Sequence, residues 1–430
     1  MTILLDPAYA PQRGIERESR EGKHWSPLTA GLALVRRMMG GGLCRGTVPR
    51  IQEKHPMKIE SKPRAENAAA RRQMSSAPRS TVDKTGLPSF KASFNTQKLH
   101  TYDGGTSKMV NVADFPVSKS VAGVFMTLEP GGLRELHWHA NAAEWAYVFE
   151  GNMRVTILDA EGRSEIADLG PGDLWYFPKG HAHSLEGRGP GTATFLLAFD
   201  NGAFDEFATF DITDWLAKTP KEIVAKSLGL SIHDVDTLPK REVYISQGVV
   251  PPPLAKTKAR GGRQASPPLS HVFRLRAQRP FKDTPDGQIW LASQREFPMS
   301  TTMTGLFMRL QSGGLRELHW HPNADEWQYV SKGHLRLTVF ASTAGAQVQE
   351  LGPGDLGFVP MGFGHSLDNV GDEPAEAILI LNSGDYQEIG LSGWLASNPN
   401  YVMETNFVGT PPSVIERLPL GPMFFAGPKR

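Results

Sequence analysis

A nine-residue stretch occurs twice in this chain. Gly131-Gly132-Leu133-Arg134-Glu135-Leu136-His137-Trp138-His139 returns unchanged 182 positions later as Gly313-Gly314-Leu315-Arg316-Glu317-Leu318-His319-Trp320-His321. The same offset relates Glu144-Trp145 to Glu326-Trp327, the Leu-Gly-Pro-Gly-Asp-Leu run at 169–174 to that at 351–356, and the His-Ser-Leu run at 183–185 to that at 365–367. A repeat of this length and fidelity describes one folding unit used twice. The 430 residues therefore divide into an extension (1–80), a first domain (81–245), a linker (246–270) and a second domain (271–430).

Within each unit, short runs rich in Val, Ile, Phe and Thr alternate with Gly/Pro turns. Strands are expected at 121–128, 145–149, 153–158, 174–177 and 192–199, with counterparts from 305–310 through 377–381. This spacing makes the fold mainly β, a sandwich or barrel in each unit. A short helix is expected around Thr213-Asp214-Trp215 before Pro220, a second over 221–230, and a counterpart of the first at Ser392-Gly393-Trp394-Leu395. The Pro-, Lys- and Arg-rich stretch near 251–268 reads as an exposed linker. Residues 1–80 read as a disordered or targeting extension, with Met57 and Met74 as alternative starts. The protein is expected to be cytoplasmic, or secreted or periplasmic if that extension is a targeting segment. A formal net charge of +1 provides no basic field for nucleic acid, and the sequence has no membrane-length apolar run. The single cysteine, Cys44, excludes intrachain disulfides and a thiolate metal cluster.

His137 and His139 flank Trp138, so in a strand both imidazoles share one face. Glu144 lies across the next turn. The fourth donor is settled by comparing the repeats. Unit one offers His181 and His183, whereas unit two has Phe363 and His365 at those positions, which leaves His183. His334 is excluded because its counterpart is Asn152. The two metal sets are His137, His139, Glu144, His183 and His319, His321, Glu326, His365. Three imidazoles and a carboxylate suit Mn, Fe, Co, Ni, Cu or Zn, and an octahedral ion would keep two positions open.

The G-(x)5-H-x-H-(x)4-E pattern with Pro-Gly-Asp and a later His is that of the cupins. The doubled Arg-Glu-Leu-His-Trp-His with Glu-Trp resembles the bicupin oxalate decarboxylases over roughly residues 85–425. The resemblance implies two cupin (jelly-roll) barrels with short accessory helices. It implies Mn(II) in each barrel, dioxygen as co-reagent, cleavage of oxalate to formate and CO2, and a homo-oligomer, either a hexamer of two trimers or a trimer. Arg134, with Arg316 as its counterpart, is expected to bind the charge of oxalate. The resemblance also implies a lid after the last strand of barrel one, with Glu206 as general acid/base and Thr209 as its closing threonine. In the family this lid reads Ser-Glu-Asn-Ser-Thr. Here it is Asp205-Glu206-Phe207-Ala208-Thr209, with an added carboxylate at Asp205 and an apolar centre. The second unit has a shorter run at 382–389, whose Glu388 has no fixed register. Site one is therefore expected to be catalytic and site two structural or auxiliary. Trp138 and Trp320 should face away from the barrels, towards packing contacts. Glu206 favours a lyase over an oxidase yielding hydrogen peroxide, because protonation competes with further oxidation. A non-catalytic metal-binding bicupin, a dioxygenase and a sugar-modifying bicupin are the other readings.

Overall fold

Gly132–Trp138 and Leu315–Trp320 are the strands on which both barrels are organised. In a regular strand, residues three apart face opposite sides. Arg134 and His137 are three apart, yet both are buried, as are Arg316 and His319. The register explains this. His137 pairs with His183, but Arg134 pairs with Leu185, so the ladder slips between them; the same slip separates His319–His365 from Arg316–Leu367. A bulge re-aims the strand so that guanidinium and imidazole enter one interior.

The computed structural model describes residues 87–261 and 265–428. The reading of residues 1–80 lies outside them. Each repeat folds into two antiparallel sheets, one of six strands and one of seven. In barrel one the six-stranded sheet contains Gly132–Trp138, Ala182–Gly187, Met153–Leu158 and Ser164–Leu169. The other contains Ala122–Leu128, Ala193–Phe199, Glu144–Glu150 and Leu174–Phe177. The expected strands thus form within a residue or two of their sequence bounds. The Pro-Gly-Asp turns rest on Gly172 and Gly354 at φ 89° and 86°, where a Cβ would be strained. Asp173 and Asp355 close them by accepting the N–H of Gly170 (2.8 Å) and Gly352 (2.9 Å).

One apolar cluster fills each barrel, and a third joins them. The joint is reciprocal. Trp145 of barrel one lies on Gly305 of barrel two, and Trp327 of barrel two lies on Gly123 of barrel one. A Cβ on Gly123 would stand 2.7 Å from the Trp327 ring, so only glycine admits the indole. The barrels also exchange edge strands. Lys91–Ser93, at the start of the first domain in sequence, pairs with Asp355–Val359 of barrel two, and Val272–Phe273 pairs with Leu174–Phe177 of barrel one. The sequence bounds at 81 and 271 therefore do not coincide with the ends of the sheets.

The accessory helices form at Ile212–Lys218, Lys221–Leu228 and Leu391–Ala396, the second stopped by Gly229 at φ 68°. The N-cap of the first is Asp211. The linker is mostly exposed but tethered to barrel one: Gln247 and its neighbours extend the sheet, and Thr257 accepts a hydrogen bond from Arg154 (2.7 Å). No helix of the described residues is long and apolar enough to cross a membrane.

Candidate metal centres

In each barrel four buried side chains converge: His137, His139, Glu144 and His183, and His319, His321, Glu326 and His365. Within each set the four candidate donor atoms lie within 4.8 Å of one another. Backbone carbonyls fix the tautomers of five of the six rings; Nδ1 of His139 is buried with no partner. His137 Nδ1–H donates to the Glu135 carbonyl (2.6 Å) and His183 Nδ1–H to that of His181 (2.9 Å); His319, His365 and His321 donate to Glu317, Phe363 and Gln387 (2.7, 3.0 and 2.7 Å). This leaves Nε2 of each ring as a lone pair facing the centre, the usual arrangement behind a metal. Nε2 of His183 and of His365 is buried with no hydrogen-bond partner. Glu144 Oε2 lies 2.9 Å from His139 Nε2 and 3.4 Å from His183 Nε2; the distances at Glu326 are 2.8 and 3.5 Å. The outer oxygen of each carboxylate is held differently, by the Trp175 indole N–H on Glu144 (2.6 Å) and by the Gln328 amide on Glu326 (2.6 Å).

Electrostatics match the geometry. Burial, together with nearby Arg134 and the other rings, pushes His137 well below the usual imidazole range, and burial pulls His139 down to about 4. Burial opposes charge on Glu144 and Glu326, but the adjacent histidines outweigh it and hold both carboxyls well below the ordinary range. Neutral imidazoles and an ionised carboxylate form a donor set that fits a divalent cation. His181 lies beside His271, with ring centroids 5.8 Å apart, and His334 is exposed; neither is among the converging side chains.

Beside the first set lies a polar network. Arg134 donates through Nε to Glu206 Oε1 (3.0 Å), through Nη1 to Asp211 Oδ1 (2.5 Å) and through Nη2 to the Thr209 hydroxyl (2.8 Å). The Tyr244 hydroxyl also donates to Glu206 Oε1 (3.1 Å), and its ring lies 4.1 Å from the guanidinium carbon. Glu206 Oε2 is buried with no partner. Burial raises the Glu206 carboxyl to about 7: Arg134 opposes the rise, and the charges of Glu144 and Asp211 add to it. Asp205 is exposed and accepts the Phe207 N–H (3.0 Å); the carboxylates that act on Glu206 are Glu144 and Asp211. Phe207 stacks on His100 with centroids 4.3 Å apart, so the apolar centre of this segment is packed. A partly open cavity of about 170 Å³ lined by His139, Asn141, Phe204, Asp205 and Thr209 adjoins the segment.

Barrel two repeats the plan with different parts. Arg316 pairs with Glu388, which also accepts the Tyr386 hydroxyl. Glu388 thus stands to Arg316 as Glu206 does to Arg134, but it is partly exposed and lines an open cleft of about 450 Å³. The ring over Arg316 is Phe424, at 3.6 Å. Tyr244 and Phe424 both adopt φ near +60°, a region costly for such residues. Glu135 and Glu317 hold them there by accepting their backbone N–H groups (2.7 and 2.9 Å). The same two carboxylates accept the first-turn N–H groups of the accessory helices, at Thr213 and Ser392 (3.1 Å each). Tyr244, Glu135, Asp211 and Tyr386 are site residues that sequence reasoning missed. Tyr244, Tyr386 and Asp211 belong to no local motif, and Glu135 stands in the repeated stretch with nothing local to show what it accepts. Trp138 faces away from the centre, stacked on Phe210 and edge-on to Trp215, and Trp320 meets Trp394 likewise.

A family model described as Cupin matches residues 92–236 and 273–411. Oxalate decarboxylase OxdC of Bacillus subtilis is 40% identical over 325 residues, 76% of this chain and 83% of its own length. An oxalate decarboxylase of Arthroderma benhamiae is 31% identical over 362 residues, 77% of this chain and 83% of its own. A solved structure of Bacillus subtilis oxalate decarboxylase, studied for its Mn(II) centres, superposes with a TM-score of 0.77 at 36% identity, covering 88% of this chain and 99% of that one.

Proposed function

The chain belongs to the bicupin oxalate decarboxylases of the cupin family, and on that premise we propose a division of labour among its residues. It is a carboxy-lyase that splits oxalate into formate and CO2. Manganese, held in each barrel by three histidines and a glutamate, supplies Lewis-acid binding of a carboxylate and one-electron chemistry with dioxygen as catalytic co-reagent. Arg134 orients oxalate at site one through its guanidinium. Glu206 takes the proton that oxalate must lose before it is oxidised and returns it to carbon once CO2 has left. Over a cycle, hydrogen oxalate gives formate plus CO2, and the proton that Glu206 takes is the one it returns, so the group ends the turnover in the state in which it began.

The observation that carries this reading is Glu206 itself. Arg134 and Tyr244 anchor one oxygen, the other is buried and unpartnered, and the group titrates near neutrality, as an acid/base catalyst should. Phe207 packs on His100 and Thr209 accepts from Arg134, which anchors the segment that carries Glu206. Site two, with Arg316 as a weaker substrate contact and Glu388 partly exposed, is auxiliary in this reading. Trp215, Ile223, Trp394 and Tyr401 on the accessory helices are exposed apolar residues, and we assign them to contacts within a homo-oligomer, trimer or hexamer, which light scattering would size.

The test is oxalate turnover by Mn-loaded protein with and without dioxygen, following formate and peroxide together. Formate without stoichiometric peroxide is expected. One peroxide per oxalate would make the protein an oxidase, with the altered lid as the reason. Glu206→Ala should abolish formate production while retaining manganese, and an unchanged rate would remove Glu206 from the mechanism.

A further inference from the structure

Arg134 is fully buried and carries two carboxylates, Glu206 and Asp211. The two are mounted differently. Glu206 begins the single turn Glu206–Ala208, within the segment that follows the last strand of barrel one. Asp211 sits on the strand Phe210–Asp211, paired with the central strand opposite His137, and Thr209 donates to its Oδ2 (2.9 Å). Asp211 also occupies the N-cap of Ile212–Lys218, where an aspartate ordinarily accepts a first-turn N–H. Its side chain makes no capping bond, and Glu135 accepts the Thr213 N–H instead. The carboxylate turns inward to the guanidinium. Barrel two lacks it: the residue opposite His319 is Gly390, and Arg316 meets one carboxylate, Glu388, and the Phe424 carbonyl.

We propose that Asp211 is a positioning residue for site one: it keeps Arg134 paired and aimed while Glu206 leaves the guanidinium, so that oxalate replaces Glu206 and not Asp211. A buried guanidinium stripped of its only counter-ion is strongly disfavoured. With Asp211 fixed on Nη1, the donor released by Glu206 is Nε, and the incoming carboxylate meets a fork already held in one orientation. Asp211 alone balances the single charge of the arginine, which favours exchange of one further carboxylate for another over permanent capture of either. This inference rests on the roles of Arg134 and Glu206 given above.

The test is a double-mutant cycle in Mn-loaded protein. Asp211→Gly installs the barrel-two residue, and Asp211→Asn keeps the shape and one acceptor. Each is made alone and with Arg134→Lys. Asp211→Gly should lower kcat/KM for oxalate at least about tenfold, mainly through KM, and Asp211→Asn about threefold. Oxalate affinity measured calorimetrically without dioxygen should weaken in parallel, with manganese content and melting midpoint unchanged. In the Arg134→Lys background Asp211→Gly should cost less than about twofold more, because the fork it holds is gone. If Asp211→Gly melts early, the cycle is read from Asp211→Asn. Additive losses, or losses matched by lost manganese, overturn the proposal. Wild-type kinetics for Arg134→Lys alone would instead overturn the substrate role of Arg134, and this inference with it.

Discussion

Glu206→Gln should make the metal-free protein more stable relative to wild type as the pH rises. The Glu206 carboxyl is raised from the ordinary range to about 7, chiefly by burial. Each tenfold change in acidity is worth about 1.4 kcal/mol, so the rise from ~4.3 to about 7 amounts to about 4 kcal/mol. The sign is set by proton binding. Below ~4.3 the group is protonated whether the chain is folded or unfolded, and its contribution is fully present. Between ~4.3 and about 7 the unfolded chain has lost the proton while the folded chain retains it, so unfolding is increasingly favoured. Glutamine mimics the protonated form and does not titrate. Urea denaturation of both proteins from pH 4 to 8 should therefore show a stability difference that is flat at the acid end. It should grow by most of that amount, roughly 3–4 kcal/mol, in favour of Glu206→Gln and level off above about 7. The other ionisable groups are common to both proteins and cancel in the difference. A bound divalent cation would pull the carboxyl back down and compress the span. A difference that stays constant from pH 4 to 8, or that moves towards wild type, would refute the view of Glu206 as a carboxyl kept protonated by burial.

Two further substitutions probe the centre and the joint between barrels. His139→Ala should lose manganese from site one while site two keeps its own, measured as metal per chain after dialysis; two full equivalents would reject His139 as a ligand. Gly123→Ala should destabilise by about 2 kcal/mol, because the new methyl meets the buried Trp327 ring, and Trp327→Phe in the same chain should recover part of the loss. Unchanged denaturation would mean that the indole can shift freely.

Much of the fold and of both centres was legible because the repeat acts as its own control. His183 was separated from His181 by what barrel two lacks, and the spacing of His137, His139 and Glu144 is local enough to read from a strand and a turn. What escaped depends on interactions that no local pattern encodes. The common burial of Arg134 and His137 needs a bulge, which is a property of two strands together. Tyr244 reaches Glu206 from 38 positions away, through a backbone conformation that its residue type disfavours. Asp211 looked like an ordinary helix residue, since nothing in the sequence says that Glu135 has taken its capping role. Glu388 could not be placed because its loop is shorter, yet it reaches Arg316 just as Glu206 reaches Arg134.

The exchanged edge strands bear on how the chain is made. Lys91–Ser93 finds its place only against Asp355–Val359, and the contacts it makes there span about 260 residues. At ordinary synthesis rates that interval is roughly 10–50 s. Through it, barrel one can close while its leading strand waits without a partner. Barrel one also lacks its Val272–Phe273 edge until the linker has emerged. Barrel one is incomplete when it leaves the ribosome, and barrel two is completed by the earliest of the described strands.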